Sequence, residues 1–359
     1  MCRPDATVLE FAAKMFGVEN RTEDIPFFRD LRQYNSSEKL QLLQVRVLSF
    51  AKNTWFTNRS ALKPYIAFCK ERNFTLFPVD VNNLDLCCFS QALSGKSSQV
   101  IENLVNAVIF ASKFLGYSLS RAEPHIKRTI KFVAKLCVTK TRQKDGLQSS
   151  DISILWDIID HQGGLKSLTL CELRTFVMLI FCHRTLCRFS CASEIKLSDV
   201  NYTPTAFEFV IRFSKTDQEG ASQTVNLPNV TGKRNPFMLL CLYINALSCQ
   251  SSDNSDIYLF PPFCWNVLKS SWEPKLNCKL SYSSAYQAFK KFLMNYGLNP
   301  KSFALHSPRI GGTSDMFENK IPCSVIDRQG RWKNELTKFR YCRNKKSTLL
   351  KYLQKVPKY

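Results

Sequence analysis

Acidic residues are scarce in this chain: 29 Asp plus Glu stand against 50 Lys plus Arg in 359 residues, and with 4 His the formal net charge is +21. Histidine is too sparse, and C-x-x-C spacing too completely missing among the 15 cysteines, for zinc sites. The closest cysteine pairs, adjacent Cys87 and Cys88 and the spacing of Cys187 and Cys191, make no disulfide framework, so buried, reduced thiols in an intracellular protein are expected. Long apolar runs are missing too. The longest, Phe237 to Ile244, is far too short for a bilayer, and the N-terminal Arg3, Asp5 and Glu10 interrupt any signal-peptide pattern. No lipidation motif, single basic amphipathic stripe, internal repeat or low-complexity tract stands out. What is present is apolar bulk: 45 % hydrophobic and 12 % aromatic residues exclude a disordered basic tail, and the length predicts two folded domains. A polyanionic partner, nucleic acid ahead of a membrane surface, is the simplest reason for the charge; a basic protein merely kept soluble by it is the alternative.

Residues 1–36 are weakly periodic and read as an extension, and from residue 37 the pattern is helical. Ile101, Leu104, Val105, Val108 and Ile109 form one apolar stripe that Gly116 is placed to end. Trp55 to Cys69 predicts a helix kinked or divided by Pro64, and Val81 to Leu93 a shorter one. Residues 37–137 therefore read as an all-α domain, 138–150 as a basic linker, and 151–345 as a second, α+β domain ahead of a basic tail at 346–359. In the second domain Thr169 and Glu172 form a capping box before a run, Leu173 to Phe181, that is apolar nearly all round and so a buried helix. Phe207, Phe209, Ile211 and Phe213 then alternate with Glu208, Val210, Arg212 and Ser214, and a polar stretch leads to a second short strand near Thr224 to Leu227. That is a β-hairpin with Lys215 at the shoulder of its turn. Pro236 opens another buried helix, and Tyr282, Tyr286, Phe289, Phe292, Leu293 and Tyr296 share one side of a later one ended by Gly297. The fold class is mainly α, with one small antiparallel sheet.

Between Lys113 and Lys144 nine cations, including Lys127, Arg128, Lys131, Lys135, Lys140, Arg142 and Lys144, face the single acid Glu123. Residues 301–359 carry 14 Lys or Arg against 4 acids. One basic run alone is ordinarily a solvated helix face, but two of them make surfaces for a phosphate backbone.

Cleavage of a phosphodiester needs fixed cations around its non-bridging oxygens, a proton donor for the leaving oxygen and an in-line nucleophile. Four places supply such groups: Thr185-Leu-Cys-Arg188 with Ser198-Asp199-Val200; Lys215; His306-Ser-Pro-Arg309-Ile-Gly-Gly; and Gly330-Arg-Trp332 with Tyr341 nine residues on. Singly, each has an ordinary structural explanation. In this order and spacing they resemble the tyrosine recombinase (phage integrase) family, most of all the recombinases of eukaryotic mobile elements of the DIRS-like and Crypton type. The helical region at 37–137 resembles that family's core-binding domain.

The resemblance implies a DNA strand transferase. Tyr341 attacks the scissile phosphate to form a 3′-phosphotyrosyl link, and Arg188 and Arg309 clamp the non-bridging oxygens. Lys215 protonates the 5′ oxygen, His306 exchanges protons, and Trp332 packs and donates through its indole N–H. It further implies no cofactor or metal, a duplex DNA partner held in a clamp between the two domains, a dimer to tetramer on DNA, and a nuclear location. Three departures stand out: Leu186 replaces the glycine of a T-G-x-R turn, Pro308 fills a variable position, and Cys191 takes the place of a buttressing acid, with Glu194 one helical turn further on. Type IB topoisomerase activity and a DNA-binding protein that no longer cleaves remain as alternatives.

Overall fold

A computed structural model describes residues 26–30, 33–119, 123–137, 144–212, 222–249, 257–332 and 334–341. The chain separates into two compact units, Met1–Arg142 and Gln143–Tyr359.

The described part of the first unit is helical: α1 (Pro26–Asp30), α2 (Ser36–Leu48), α3 (Lys52–Glu71), α4 (Val81–Leu93), α5 (Ser98–Phe114) and α6 (Glu123–Leu136). Helix α5 forms where the apolar stripe was read; Ile101, Leu104, Val105, Val108 and Ala111 are buried, and Gly116 turns the chain out at φ +87°. Pro64 does not divide α3. It removes one backbone donor, but Leu62, Tyr65, Phe68 and Cys69 are buried around it, and that burial, about 1.5–3 kcal/mol for each large side chain, outweighs the lost bond. Trp55 sits edge-on to Phe110 and Phe114 with ring centroids 5.4 and 5.1 Å apart.

Helix α6 corrects one expectation. The part of the basic run at Glu123–Leu136 is a regular helix of the first unit, within the region read as all-α. It is also the basic amphipathic stripe that the sequence was read to lack: Ile126 and Val133 are buried, while Lys127, Arg128, Lys131 and Lys135 are exposed. Ile126, Ile130 and Val133 pack into the unit's own core, and the exposed side presents the cations together with Phe132 and Leu136.

The second unit begins with α7 (Ser149–His161), a short turn at Gly164–Ser167, α8 (Leu170–Arg184) and α9 (Phe189–Ala192). An antiparallel sheet follows, β1 (Val200–Tyr202), β2 (Ala206–Ile211) and β3 (Gln223–Pro228), then α10 (Pro236–Ser248). A second hairpin, β4 (Phe263–Asn266) with β5 (Ser271–Pro274), precedes α11 (Tyr282–Asn295), α12 (Ser307–Glu318), α13 (Cys323–Gly330) and α14 (Glu335–Phe339). The Thr169 to Glu172 capping box opens α8, and every residue from Leu173 to His183 is buried as α10, α11 and α12 pack around it. Phe207, Phe209 and Ile211 point inward and Glu208 outward, as the alternation requires, with Phe209 edge-on to Phe181 at 4.8 Å. Strand β1 and the β4–β5 hairpin had no clear sequence signal, being three and four residues long. Tyr282 departs from its expected side: it lies exposed at the start of α11 and stacks on Tyr286.

Residues 144–150, expected in the linker, are packed into the second unit. The Leu147 N–H donates to the Ser307 carbonyl (2.9 Å), and α7 starts at Ser149.

Candidate active site

Buried helix α8 ends at Thr185, whose hydroxyl donates back to the Phe181 carbonyl (2.7 Å). The next residue, Leu186, is left-handed at φ +52°, which explains why a glycine suits this turn. Leucine is tolerated because its side chain, fully buried with Ile326 and Trp332, makes an apolar floor for the site. The reversal lifts Arg188 to the N-cap of α9, with its Nη1 buried and finding no partner among the described residues.

His306 caps α12 and Arg309 lies in its first turn. Two glycines let this helix approach its neighbours backbone to backbone. A Cβ on Gly311 would meet the Leu147 carbonyl oxygen at 1.7 Å, and one on Gly312 the His183 carbonyl oxygen at 2.0 Å. A polar pin fixes the same contact: Asp315 accepts from the Ser149 hydroxyl (2.6 Å) and backbone N–H (2.7 Å), and pairs with His183 Nε2 at 2.8 Å. Burial keeps His183 below its ordinary pKa, against the pull of Asp315, so the imidazole stays neutral.

Arg309 is fully buried. It donates from Nη1 to the Leu186 carbonyl and from Nη2 to the Gly330 carbonyl (2.8 Å), and its Nε has no partner among the described residues. Its guanidinium lies over the rings of Trp332 (4.4 Å) and Tyr341 (5.2 Å). Burial first, then the charges of Arg188 and Arg331, lower its pKa to about 10, against a raising effect of Tyr341. The group still carries its charge at neutral pH, and an anion entering the site would relieve both effects.

Helix α13 ends with Arg331 in the left-handed region at φ +56°, which turns Trp332 back across Gly330; a Cβ there would stand 1.9 Å from the indole ring. The Trp332 Nε1 has no partner among the described residues. An ion pair between buried Lys338 and Asp327 ties α14 to α13, and the Tyr341 N–H donates to the Lys338 carbonyl (2.9 Å) just beyond. The Tyr341 ring lies 5.3 Å from the His306 ring and 5.4 Å from that of Trp332.

Five of the six expected catalytic positions therefore converge: Arg188, His306, Arg309, Trp332 and Tyr341. Lys215 lies outside the described residues; the strands on either side of it in sequence are paired up to Ile211 and Gln223, and buried Asp199 accepts from Arg212 Nε (2.6 Å) beside them. That bond gives the Ser198-Asp199-Val200 segment a physical role. The indole N–H, expected to donate, finds no acceptor among the described residues, and Glu194 does not stand in for the acid expected at Cys191: it is exposed and pairs with Lys279. Of the DNA-binding candidates, Lys127, Arg128, Lys131 and Lys135 lie exposed on α6; Lys144, also exposed, donates to the Lys301 carbonyl (2.7 Å); Lys140 and Arg142 lie outside the described residues. Sequence reasoning missed Arg331 and Cys187, whose Nη2 and Sγ are 3.4 Å apart within the same cluster. Both lie inside motifs that were singled out, and only folding makes them neighbours.

Orphaned donors in one place, Arg188 Nη1, Arg309 Nε, Arg331 Nε and Nη1 and Trp332 Nε1, are suited to an anion with several acceptor oxygens. No group of three or more His, Cys, Asp or Glu among the described residues could hold a metal ion, and no described helix is long and apolar enough to cross a membrane.

No protein-family model matches the chain, and no curated protein matches it in sequence. Solved structures do resemble it. The XerH site-specific recombinase, in a post-cleavage complex with its palindromic substrate, aligns with a TM-score of 0.61 at 14 % identity over 97 % of this chain and 95 % of its own. The Tn1549 transposon integrase, in complex with a circular intermediate DNA, aligns with a TM-score of 0.56 at 9 % identity over 96 % and 99 %. A lambda integrase dimer bound to a core site aligns with a TM-score of 0.52 at 13 % identity over 94 % and 85 %. The mainly helical chain with its small antiparallel sheets has the fold of the tyrosine recombinases.

Proposed function

We propose that this protein is a DNA strand transferase that cleaves and rejoins duplex DNA through a 3′-phosphotyrosyl intermediate. The observation that carries the reading is the convergence of His306, Arg309 and Trp332 on Tyr341, with Arg188 acting on Arg309 and donors that find no acceptor among the described residues, in a fold shared with recombinases solved on DNA. The Tyr341 oxygen bonds to phosphorus as the bond to the 5′ oxygen breaks. Its phenolic proton leaves through His306 or the phosphate, and Lys215 gives a proton to the departing oxygen. Arg309 is pre-oriented by two backbone carbonyls, so the clamp on the non-bridging oxygens needs no reorganisation when charge develops there. The phosphotyrosyl link conserves the bond energy, so rejoining requires neither nucleotide nor metal. The exposed cations of α6, with those near the C-terminus, hold the phosphate backbone, and the two units clamp the duplex as a dimer to tetramer. The motif likeness to DIRS-like and Crypton recombinases supports a mobile-element role, in integration or excision, in the nucleus.

Incubation with a library of nicked duplexes, whose short 5′ fragment diffuses away after cleavage, tests this directly. An SDS-resistant DNA adduct that vanishes in Tyr341→Phe is expected. Binding without any adduct would favour a DNA-binding protein that no longer cleaves; relaxation of supercoiled DNA without exchange of partners would favour the topoisomerase reading.

A further inference from the structure

Arg331 is buried, yet its backbone occupies the left-handed region that glycine ordinarily fills at a helix C-terminus. An arginine there costs about 1 kcal/mol of backbone strain, and burying its charge costs more unless the charge is paired. Its Nη2 reaches the Cys187 sulfur at 3.4 Å, while Nε and Nη1 find no partner among the described residues. Cys187 is itself buried, directly before Arg188, with Cys191 one turn on at the position where the buttressing acid was expected. The charge of Arg331, like that of Arg188, acts on Arg309, so the three guanidinium groups form one cluster.

We propose that Arg331 is a third guanidinium of the phosphate site, offering Nε and Nη1 to the non-bridging oxygens, and that the Cys187 sulfur holds its Nη2 and so acts as a positioning residue. The proposal rests on reading the site as a phosphodiester-cleaving centre. The sulfur is equipped for this. A hydrogen bond from Cys191, opposed by burial and helped by the charges of Arg331 and Arg309, holds the Cys187 thiol below its ordinary pKa, which favours a negative sulfur beside the guanidinium. Cys191 is pushed the other way, by that same bond and by burial. The two sulfurs thus stand where a carboxylate was expected, and Arg331 itself is held above its ordinary pKa as the sulfurs outweigh its burial.

The test uses the full chain and two readouts. The first is the single-turnover rate of adduct formation on the nicked-duplex library, with DNA affinity measured alongside. The second is the rise in melting midpoint produced by inorganic phosphate. Arg331→Gln is expected to lower the adduct rate by about 100-fold while DNA affinity changes by no more than about 3-fold, and to lose most of the phosphate-induced stabilisation. Cys187→Ala is expected to lower the rate by about 10-fold, with partial recovery in Cys187→Asp, which restores a negative group; a merely structural cysteine would show no such recovery. If Arg331→Gln fails to fold, Arg331→Lys, which keeps the charge and loses the fork, is expected to lose at least about 10-fold in rate. An Arg331 variant that forms adduct at the wild-type rate, or keeps the full stabilisation by phosphate, overturns the role of Arg331. Wild-type rates in Cys187→Ala overturn the positioning role. Should the wild type form no adduct at all, the strand-transfer reading fails, and the phosphate arm still decides whether Arg331 belongs to the anion site.

Discussion

Leu186 carries two opposed energies in one residue. Its left-handed backbone costs about 1 kcal/mol relative to glycine, and its fully buried side chain contributes about 1.5–3 kcal/mol. Leu186→Gly is therefore expected to destabilise the protein by about 1 kcal/mol or more in denaturant unfolding, even though it restores the residue usual at this turn. A higher denaturation midpoint would show that strain outweighs packing. Arg309 is the opposite case, with no positive φ: the carbonyls of Leu186 and Gly330 fix its fork, and the rings of Trp332 and Tyr341 cover its face. Arg188, His306, Arg309 and Tyr341 could be singled out in the sequence, because their order and spacing resemble those of one family. That Arg331 turns inward was not legible, since it depends on a positive φ at the end of α13 and on a sulfur some 144 residues earlier in the chain.

Among the elements, α12 and α8 decide the geometry of the site. Their backbones touch at Gly312, so Gly312→Ala drives a methyl group into the His183 carbonyl and must displace the helix that carries His306 and Arg309. Overpacking of this kind is expected to cost about 1–3 kcal/mol, and adduct formation should fall by more than stability alone accounts for. Cleavage at the wild-type rate, with the melting midpoint unchanged, would mean that α12 can slide without consequence. Helix α6 works through charge rather than fit. Replacing Lys127, Lys131 and Lys135 together by Gln should weaken binding to all DNA sequences alike and flatten the plot of log affinity against log salt by up to about 2.7. An unchanged slope would remove α6 from the interface. The sequence showed these cations plainly, within a region read as helical, but not that they share one amphipathic helix whose buried Ile126 and Val133 belong to a core.

At the scale of the whole molecule, two separate cores, one around Trp55, Tyr65 and Val108 and one around α8, predict that thermal unfolding departs from a single two-state transition, with calorimetric enthalpy exceeding the van't Hoff value. Equality of the two would mean that the units unfold as one. The net charge of +21 and the shortage of acid are fixed by composition, and with them attraction to a polyanion that weakens with salt. The helices and the first hairpin followed from local periodicity and caps, which need only near neighbours in the chain, and the site motifs were picked out by their resemblance to one family. Tertiary structure alone decided that five of those residues meet at one point and that two buried cysteines face an arginine there. It also decided that Arg188, Arg309, Arg331 and Trp332 keep donors that find no partner among the described residues. Local pattern sets which face of an element is apolar; only packing sets which distant residue that face meets, and the chemistry of this site lies in those meetings.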